Sequence, residues 1–165
     1  MSAQEHEANS GVWRKLADYG IDVRIWPVDP NDGRLRLSDL LSLLDNKVRL
    51  VAVTHCSNLV GEINPVRQIA DATHDAGGLL LVDGVSYCPH GFPDVDALGA
   101  DVYLFSTYKT YGPHQGIMVI RNAARAFFAP QSHFFNHDNL MKWMVPAGPD
   151  HAQMASSNGI IDYFD

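Results

Sequence analysis

The run Leu79-Leu80-Leu81-Val82-Asp83-Gly84 consists of apolar residues followed by a carboxylate and a glycine. A short, continuous apolar run of this kind is typical of a parallel strand that is covered on both faces. Gly77-Gly78 precedes it and ends a helix predicted from Pro65 to about Ala76. Similar short apolar runs occur at residues 48–54, 101–105 and 116–120, with segments typical of helices or loops between them. This alternation of strands and helices predicts an α/β domain with a mostly parallel sheet and flanking helices.

The two ends of the chain carry weaker patterns. Ser10 is a candidate cap for a helix over residues 12–19, and Gly20 would end that helix. Residues 21–28 are predicted to form a strand, with Pro27 indicating an edge position. Near the carboxyl end we expect a helical segment at 123–128, an irregular region at 131–139 and a last helix at 151–164.

Polar side chains follow three of the predicted strands. Asn58 lies in the loop after the first of them, Asp83 directly after the second, and Ser106 and Lys109 after the third. In open α/β sheets, ligands bind beyond the carboxyl ends of the strands. The pattern therefore predicts a ligand site that these loops share.

Composition narrows the class of protein. The 165 residues suffice for one domain, and 12 Lys and Arg against 19 Asp and Glu give a net charge of −7. With no basic run, nucleic acid and anionic membranes are unexpected partners. No stretch approaches the length of a membrane span. The two cysteines cannot build a disulfide framework, so we expect a reducing compartment, the cytoplasm.

The ordered motifs of the chain carry a resemblance to the class V aminotransferases, and within them to the group II cysteine desulfurases. These enzymes are fold type I proteins that depend on pyridoxal 5′-phosphate (PLP). The resemblance covers essentially residues 4–128 and rests on the following stretches, in chain order: Glu5-His6-Glu7-Ala8-Asn9, His55-Cys56-Ser57-Asn58, Val82-Asp83-Gly84, Cys88-Pro89-His90, Asp101-Val102-Tyr103-Leu104-Phe105-Ser106 and Tyr108-Lys109-Thr110-Tyr111-Gly112-Pro113.

The resemblance implies a role for each matching residue. Lys109 is the lysine that forms the Schiff base with PLP, and Asp83 pairs with the pyridinium nitrogen, which keeps the ring an electron sink. His6 stacks on the ring and takes part in proton transfer. Asn58 donates to the ring 3-oxygen, and Ser106 holds the phosphate. The implied assembly is a homodimer, with an amino acid as substrate.

The chain also departs from the family pattern. Ser86 stands where the family commonly has a longer glutamine that contacts the ring oxygen, and Tyr108 stands where a histidine commonly binds the phosphate. The resemblance further implies a fragment truncated at both ends. Residues 1–165 are expected to form one PLP-binding large-domain unit, without the small C-terminal domain that carries the substrate-binding arginine and the catalytic cysteine. Cys56 and Cys88 do not match that cysteine, and we expect both to pack.

Several functions remain open at this point. Cleavage of the C–S bond of cysteine is the best single prediction, with PLP-dependent epimerase or aminotransferase chemistry next, because a fold does not fix a reaction. An inactive, truncated domain that dimerises without catalysis is the alternative outside the enzymes. A dinucleotide-binding domain is disfavoured because a glycine-rich turn after a first strand is missing. His133 and His137 are four residues apart but lie in an irregular stretch, so no metal site is expected.

Overall fold

The computed structural model of the chain describes residues 1–164. Its centre is a four-stranded sheet in the order β1-β2-β3-β4. The strands are β1 (Leu50–Thr54), β2 (Leu79–Asp83), β3 (Val102–Ser106) and β4 (Gly116–Ile120). β1, β2 and β3 run parallel, and β4 returns antiparallel to β3. The prediction of an α/β fold with a mostly parallel sheet is confirmed.

Within the described part of the chain, six short α-helices accompany the sheet. They are α1 (Glu7–Arg14), α2 (Leu37–Leu43), α3 (Val66–Asp75), α4 (Val95–Leu98), α5 (His151–Ser156) and α6 (Asn158–Phe164). Segments of 3₁₀-helix lie at Lys15–Tyr19, Thr107–Lys109, Asn122–Phe127 and Phe134–Asn136. Within residues 1–164, none of the helices has the length and apolar character needed to cross a bilayer.

The core lies on both faces of the sheet because successive strand residues point to opposite sides. On one face, Val53, Leu80 and Val82 pack against Val66 and Ile69 of α3. On the other face, Ala52, Leu81 and Val102 form a smaller cluster. The continuous apolar run of β2 is therefore explained, since that strand is buried on both sides.

The structure corrects the prediction for the first helix. α1 begins at Glu7 rather than at residue 12, and its cap is His6, whose Nδ1 accepts a hydrogen bond from the Ala8 amide at 3.1 Å. Ser10 lies inside the helix, where its hydroxyl accepts from the Arg14 side chain. α1 ends at Arg14, and Gly20, with a left-handed φ of 79°, ends the 3₁₀ segment Lys15–Tyr19 that continues it.

The strand predicted at residues 21–28 is wrong. That segment is extended but makes only isolated bridges, Trp26 with Ser2 and Val28 with Leu35. Pro27 lacks the N–H that a continuous ladder requires. The Trp26 side chain is buried, and its indole N–H donates to the Arg36 carbonyl.

The carboxyl-terminal region follows the prediction more loosely. The helix expected over residues 151–164 is divided into α5 and α6. Asp150 caps α5 by accepting hydrogen bonds from two backbone amides. Upstream of it, Trp143 is buried and lies under the Arg125 guanidinium, 5.3 Å from carbon to ring centroid.

Candidate functional site

The carboxyl ends of the three parallel strands meet at one edge of the sheet. Thr54 pairs in register with Asp83, and Asp83 pairs with Leu104. The loops that leave β1, β2 and β3 therefore start side by side. Each of these loops carries at least one residue of the predicted site, as the sequence pattern indicates.

Asp83 lies at the end of β2 with 8% of its surface exposed. One carboxylate oxygen, Oδ1, accepts from the Val85 amide at 2.9 Å. Among residues 1–164, no hydrogen bond engages the other oxygen, Oδ2. The main chain is fixed independently, because the Asp83 carbonyl accepts from the His55 amide at 2.8 Å. Asp83 thus offers one free, negatively charged acceptor from a rigid strand end.

The turn after Asp83 rests on a buried aromatic side chain. A Cβ added to Gly84 would lie 2.1 Å from Cε1 of Tyr103, so the close approach of ring and backbone requires glycine there. The Tyr103 hydroxyl is 2.7 Å from Nδ1 of His55, whose ring stacks on Tyr87 at 3.7 Å between centroids. These residues form the floor of the turn that follows Asp83.

Burial keeps the groups in this floor neutral. Desolvation lowers the pKa of His55 to about 4 and raises the pKa of the Tyr103 phenol well above its usual range. Burial likewise raises the pKa of Cys88 to about 11. The pKa of Cys56 is raised for the same reason. Both cysteines are therefore thiols near neutral pH, which makes them weak nucleophiles.

Lys109 lies in a tight turn that Thr107 closes. The Thr107 amide donates to the Gln115 carbonyl at 2.9 Å, and its hydroxyl donates to the Pro113 carbonyl at 2.6 Å. The Thr110 hydroxyl donates back to the Ser106 carbonyl at 3.0 Å. The Lys109 side chain is exposed, and it makes no ion pair with the residues that the structure describes. Hydrogen bonds therefore fix the backbone of the turn, while the Lys109 amine has no ion-pair partner among the described residues.

Tyr108 projects from the same turn. Its ring lies flat on His114, with centroids 4.5 Å apart and an angle of 2° between planes. The Lys109 ammonium is 5.9 Å from the centroid of the Tyr108 ring. Ser106 ends β3 and is half-buried. Ser106, Tyr108 and Lys109 therefore place two of the segment's hydroxyl groups and an ammonium next to one another in the chain.

The remaining predicted residues lie around this edge. His6 is exposed at the start of α1, Asn58 is exposed in the loop after β1, and Ser86 is half-buried in the turn after Asp83. Among residues 1–164, no hydrogen bond or ion pair joins the predicted site residues to one another directly. What they share is the support of neighbouring strand ends.

Sequence reasoning missed four residues that support the site: Glu5, His55, Thr107 and Tyr103. All four lie within or beside the motifs quoted above, so the sequence showed that they are near predicted site residues. The contact between His55 and Tyr103 could not be predicted, since these residues are 48 positions apart in the chain. No group of three or more metal-ligating side chains occurs in the part of the chain that the structure describes.

Comparison with known proteins gives a consistent family. The profile of the family described as Aminotransferase class-V matches residues 1–133. The aminotransferase-like protein FGM3 of Gibberella zeae is 47% identical over 140 residues, which cover 83% of this chain and 35% of that protein. A cysteine desulfurase of Yersinia pseudotuberculosis is 43% identical over 114 residues, which cover 68% of this chain and 28% of the enzyme.

A solved structure shows the same fold. The cysteine desulfurase CsdA from Escherichia coli superposes with a TM-score of 0.86 at 24% sequence identity. The match covers 99% of this chain and 44% of that one. The chain thus spans about a third of the length of the curated relatives described above.

Proposed function

Because this chain belongs to the class V aminotransferase family, we propose that it forms the cofactor-binding part of a PLP-dependent enzyme that acts on an amino acid, with Lys109 as the attachment point. Cleavage of the C–S bond of cysteine is the reaction we favour. The observation that carries the proposal is that, among the described residues, Lys109 makes no ion pair and Asp83 Oδ2 no hydrogen bond, while both residues lie at neighbouring strand ends. The activity, substrate and partners of the whole protein are part of this proposal.

The donor set suits PLP. The cofactor needs an amine for its aldehyde, an anion for its ring nitrogen and donors for its phosphate. Lys109 has an exposed amine, and Asp83 keeps one oxygen without a partner among the described residues. The hydroxyl groups of Ser106 and Tyr108 lie on the same turn as Lys109.

We assign the roles as follows. Bound PLP supplies an electron sink for the bond that breaks at the substrate. Asp83 holds a proton on the ring nitrogen, and Lys109 moves a proton at the substrate α-carbon. His6 covers the ring and Asn58 donates to its 3-oxygen. Ser106 and Tyr108 hold the phosphate. Ser86, shorter than the usual glutamine, contributes little to the ring oxygen.

The proposal includes neither cysteine as the sulfur acceptor. Cys88 is buried with a raised pKa, and burial raises the pKa of Cys56 as well. A thiol in that state is a poor nucleophile. In this proposal, residues 1–165 form one large-domain unit, and the arginine and cysteine that act on the substrate belong to a separate small domain. The proposed assembly is a cytoplasmic homodimer.

Replacing Lys109 by alanine tests the attachment. We expect the wild-type chain mixed with PLP to develop a visible absorbance band, and borohydride to fix PLP to Lys109. Lys109→Ala should lose both signals because no other lysine follows a strand end at this edge. Lys142→Ala, which removes an exposed lysine of the C-terminal loop region, is the matched control and should keep both. Labelling of Lys109→Ala at the wild-type level would contradict the assignment.

The reaction requires a separate assay on the full-length protein. Cysteine desulfurase chemistry releases sulfane sulfur, which a reductant liberates as sulfide, and leaves alanine. Equal amounts of sulfide and alanine from L-cysteine would support C–S cleavage. Racemised amino acid, or a keto acid with transferred amine, would instead indicate epimerase or aminotransferase chemistry. No turnover at all by a PLP-loaded protein would favour the inactive alternative.

A further inference from the structure

Glu5, the residue before His6, turns its side chain back onto the end of β1. Its Oε1 accepts from the Thr54 amide at 2.7 Å and also from the Ser2 hydroxyl. Its Oε2 accepts from the Asn9 side-chain amide at 2.6 Å. All three partners, Ser2, Asn9 and Thr54, are buried. One carboxylate thus joins the start of α1 to the sheet.

The amide that Glu5 engages faces away from β2. The Arg49 carbonyl and the His55 amide bond to β2, so the odd-numbered residues of β1 face that strand. Thr54 therefore presents its N–H on the opposite side, where Glu5 supplies the acceptor. Because Thr54 is the register partner of Asp83, Glu5 fixes His6 relative to the strand pair that ends at Asp83.

The contacts select a carboxylate over an amide. Three donors converge on the two oxygens, and an ionised carboxylate is an acceptor at both. A glutamine has one acceptor oxygen, so its NH₂ group would face at least one of the three donors. The Asn9 amide cannot simply rotate to compensate, because its oxygen already accepts from the Trp13 indole at 3.0 Å.

The carboxylates of Glu5 and Asp83 also interact electrostatically. Burial raises the pKa of Glu5, the three hydrogen bonds oppose that shift, and the negative charge of Asp83 adds to it. The two carboxylates therefore interact. A protonated ring nitrogen held at Asp83 would place a positive charge in the field of both.

We propose that Glu5 is a positioning residue of the cofactor site, one that fixes His6 relative to Asp83 through its hydrogen bond to Thr54. This inference rests on the proposed function. Glu5 touches neither cofactor nor substrate in this scheme. It acts through His6, so its loss should alter how the cofactor is covered and not whether Lys109 can attach to it.

Glu5→Gln tests the proposal, with Glu7→Gln as the matched control. Glu7 lies on the other side of His6, is exposed and makes no hydrogen bond to the rest of the described chain through its side chain. We expect Glu5→Gln to weaken PLP binding by about three- to tenfold, the range of one aromatic stacking contact. The visible circular dichroism of the bound cofactor should fall as well. Glu7→Gln should match wild type in both measurements.

A double-mutant cycle with His6→Ala separates positioning from general destabilisation. If Glu5 acts through His6, the double variant should bind PLP as weakly as His6→Ala and no more weakly. Additive losses would overturn the proposal, as would wild-type binding and dichroism in Glu5→Gln. A wild-type chain that takes up no PLP defeats the proposed function itself, which distinguishes that failure from these.

A second variant guards against misfolding. Glu5→Asp keeps the charge but is one methylene too short to reach the Thr54 amide in the same way. Thermal unfolding without PLP establishes that each variant is folded before binding is measured. We expect Glu5→Asp to show the same non-additivity with His6→Ala, and additivity there would equally overturn the proposal.

Discussion

His55 is buried as a neutral imidazole, with 4% of its surface exposed. Its pKa of about 4 in the folded chain lies below its ordinary value of 6.5 because burial penalises the charged form. Between these two pH values the unfolded chain binds a proton at His55 that the folded chain does not. Folding stability from this residue is therefore complete above pH 6.5 and is lost as the pH falls towards 4.

The predicted pH dependence can be measured by urea unfolding. Between pH 7 and pH 5 the wild-type chain should lose about 2 kcal/mol of unfolding free energy through His55. His55→Gln, which can still accept from the Tyr103 hydroxyl, should lack that part of the loss. The exposed His90→Gln is the control and should follow wild type. Parallel pH profiles for wild type and His55→Gln would contradict the assignment.

Single residues at the strand ends were the most predictable part of the site. Asp83 and Lys109 follow apolar runs that are typical of buried strands, so their place at one sheet edge was expected from the pattern. The supports beneath them were not predictable. The contact of Gly84 with Tyr103, and of Tyr103 with His55, joins segments whose meeting depends on strand order and register.

The turn that carries Lys109 is held by side-chain hydrogen bonds from Thr107 and Thr110. Thr107 is 2% exposed, and its hydroxyl hydrogen bonds to the Pro113 and Gln115 carbonyls span the turn. Tyr111, inside the turn, has a φ of 62°, a conformation that costs energy for a bulky residue. The hydroxyl of Thr107 therefore helps to maintain a strained backbone two residues from Lys109.

Thr107→Val should loosen this turn, because valine has the same shape but cannot donate to the two carbonyls. We expect a loss of about 1–2 kcal/mol in unfolding free energy. The Gly112 amide, which donates to the Thr107 carbonyl, should exchange with deuterium about tenfold faster.

Thr73→Val is the matched control. Its hydroxyl bonds to the Ile69 carbonyl within α3, away from the turn. It should leave Gly112 exchange unchanged whatever its effect on overall stability. Unaltered Gly112 exchange in Thr107→Val would show that the turn is held by other contacts.

The bounds of the strands that have a clear apolar run were predicted well. The bounds of the elements near the two ends of the chain were not. β4 has the predicted bounds, and β1 to β3 differ by one or two residues. The first helix was misplaced because His6, an uncommon cap, replaces the expected serine. The antiparallel direction of β4 was also not predicted, since an apolar run indicates a strand but not the direction in which it pairs.

At the scale of the whole molecule, the loop after β1 exposes apolar side chains. Leu59 is 85% exposed, and Val60 and Ile63 of the same loop are exposed too. Contiguous exposed apolar residues mark interaction surfaces. The loop also carries Asn58, so a homodimer formed here would place the second subunit beside the proposed cofactor site.

Sedimentation tests the homodimer. We expect the wild-type chain to sediment as a dimer and Leu59→Glu to shift it to the monomer, because a buried unpaired charge opposes association. Tyr19→Glu is the control, since Tyr19 is similarly exposed but lies at the end of the segment after α1. A wild-type chain that stays monomeric at all concentrations would contradict the homodimer.

The three tryptophans lie in three separate environments. Trp26 is in the core, Trp143 lies under Arg125, and Trp13 donates to Asn9 within the network that anchors α1. Each indole thus reports on a different part of the chain by its fluorescence. A chain that retains only Trp13 would carry an intrinsic optical probe of the Glu5 network. Its emission would register a change at the start of α1 without any added label.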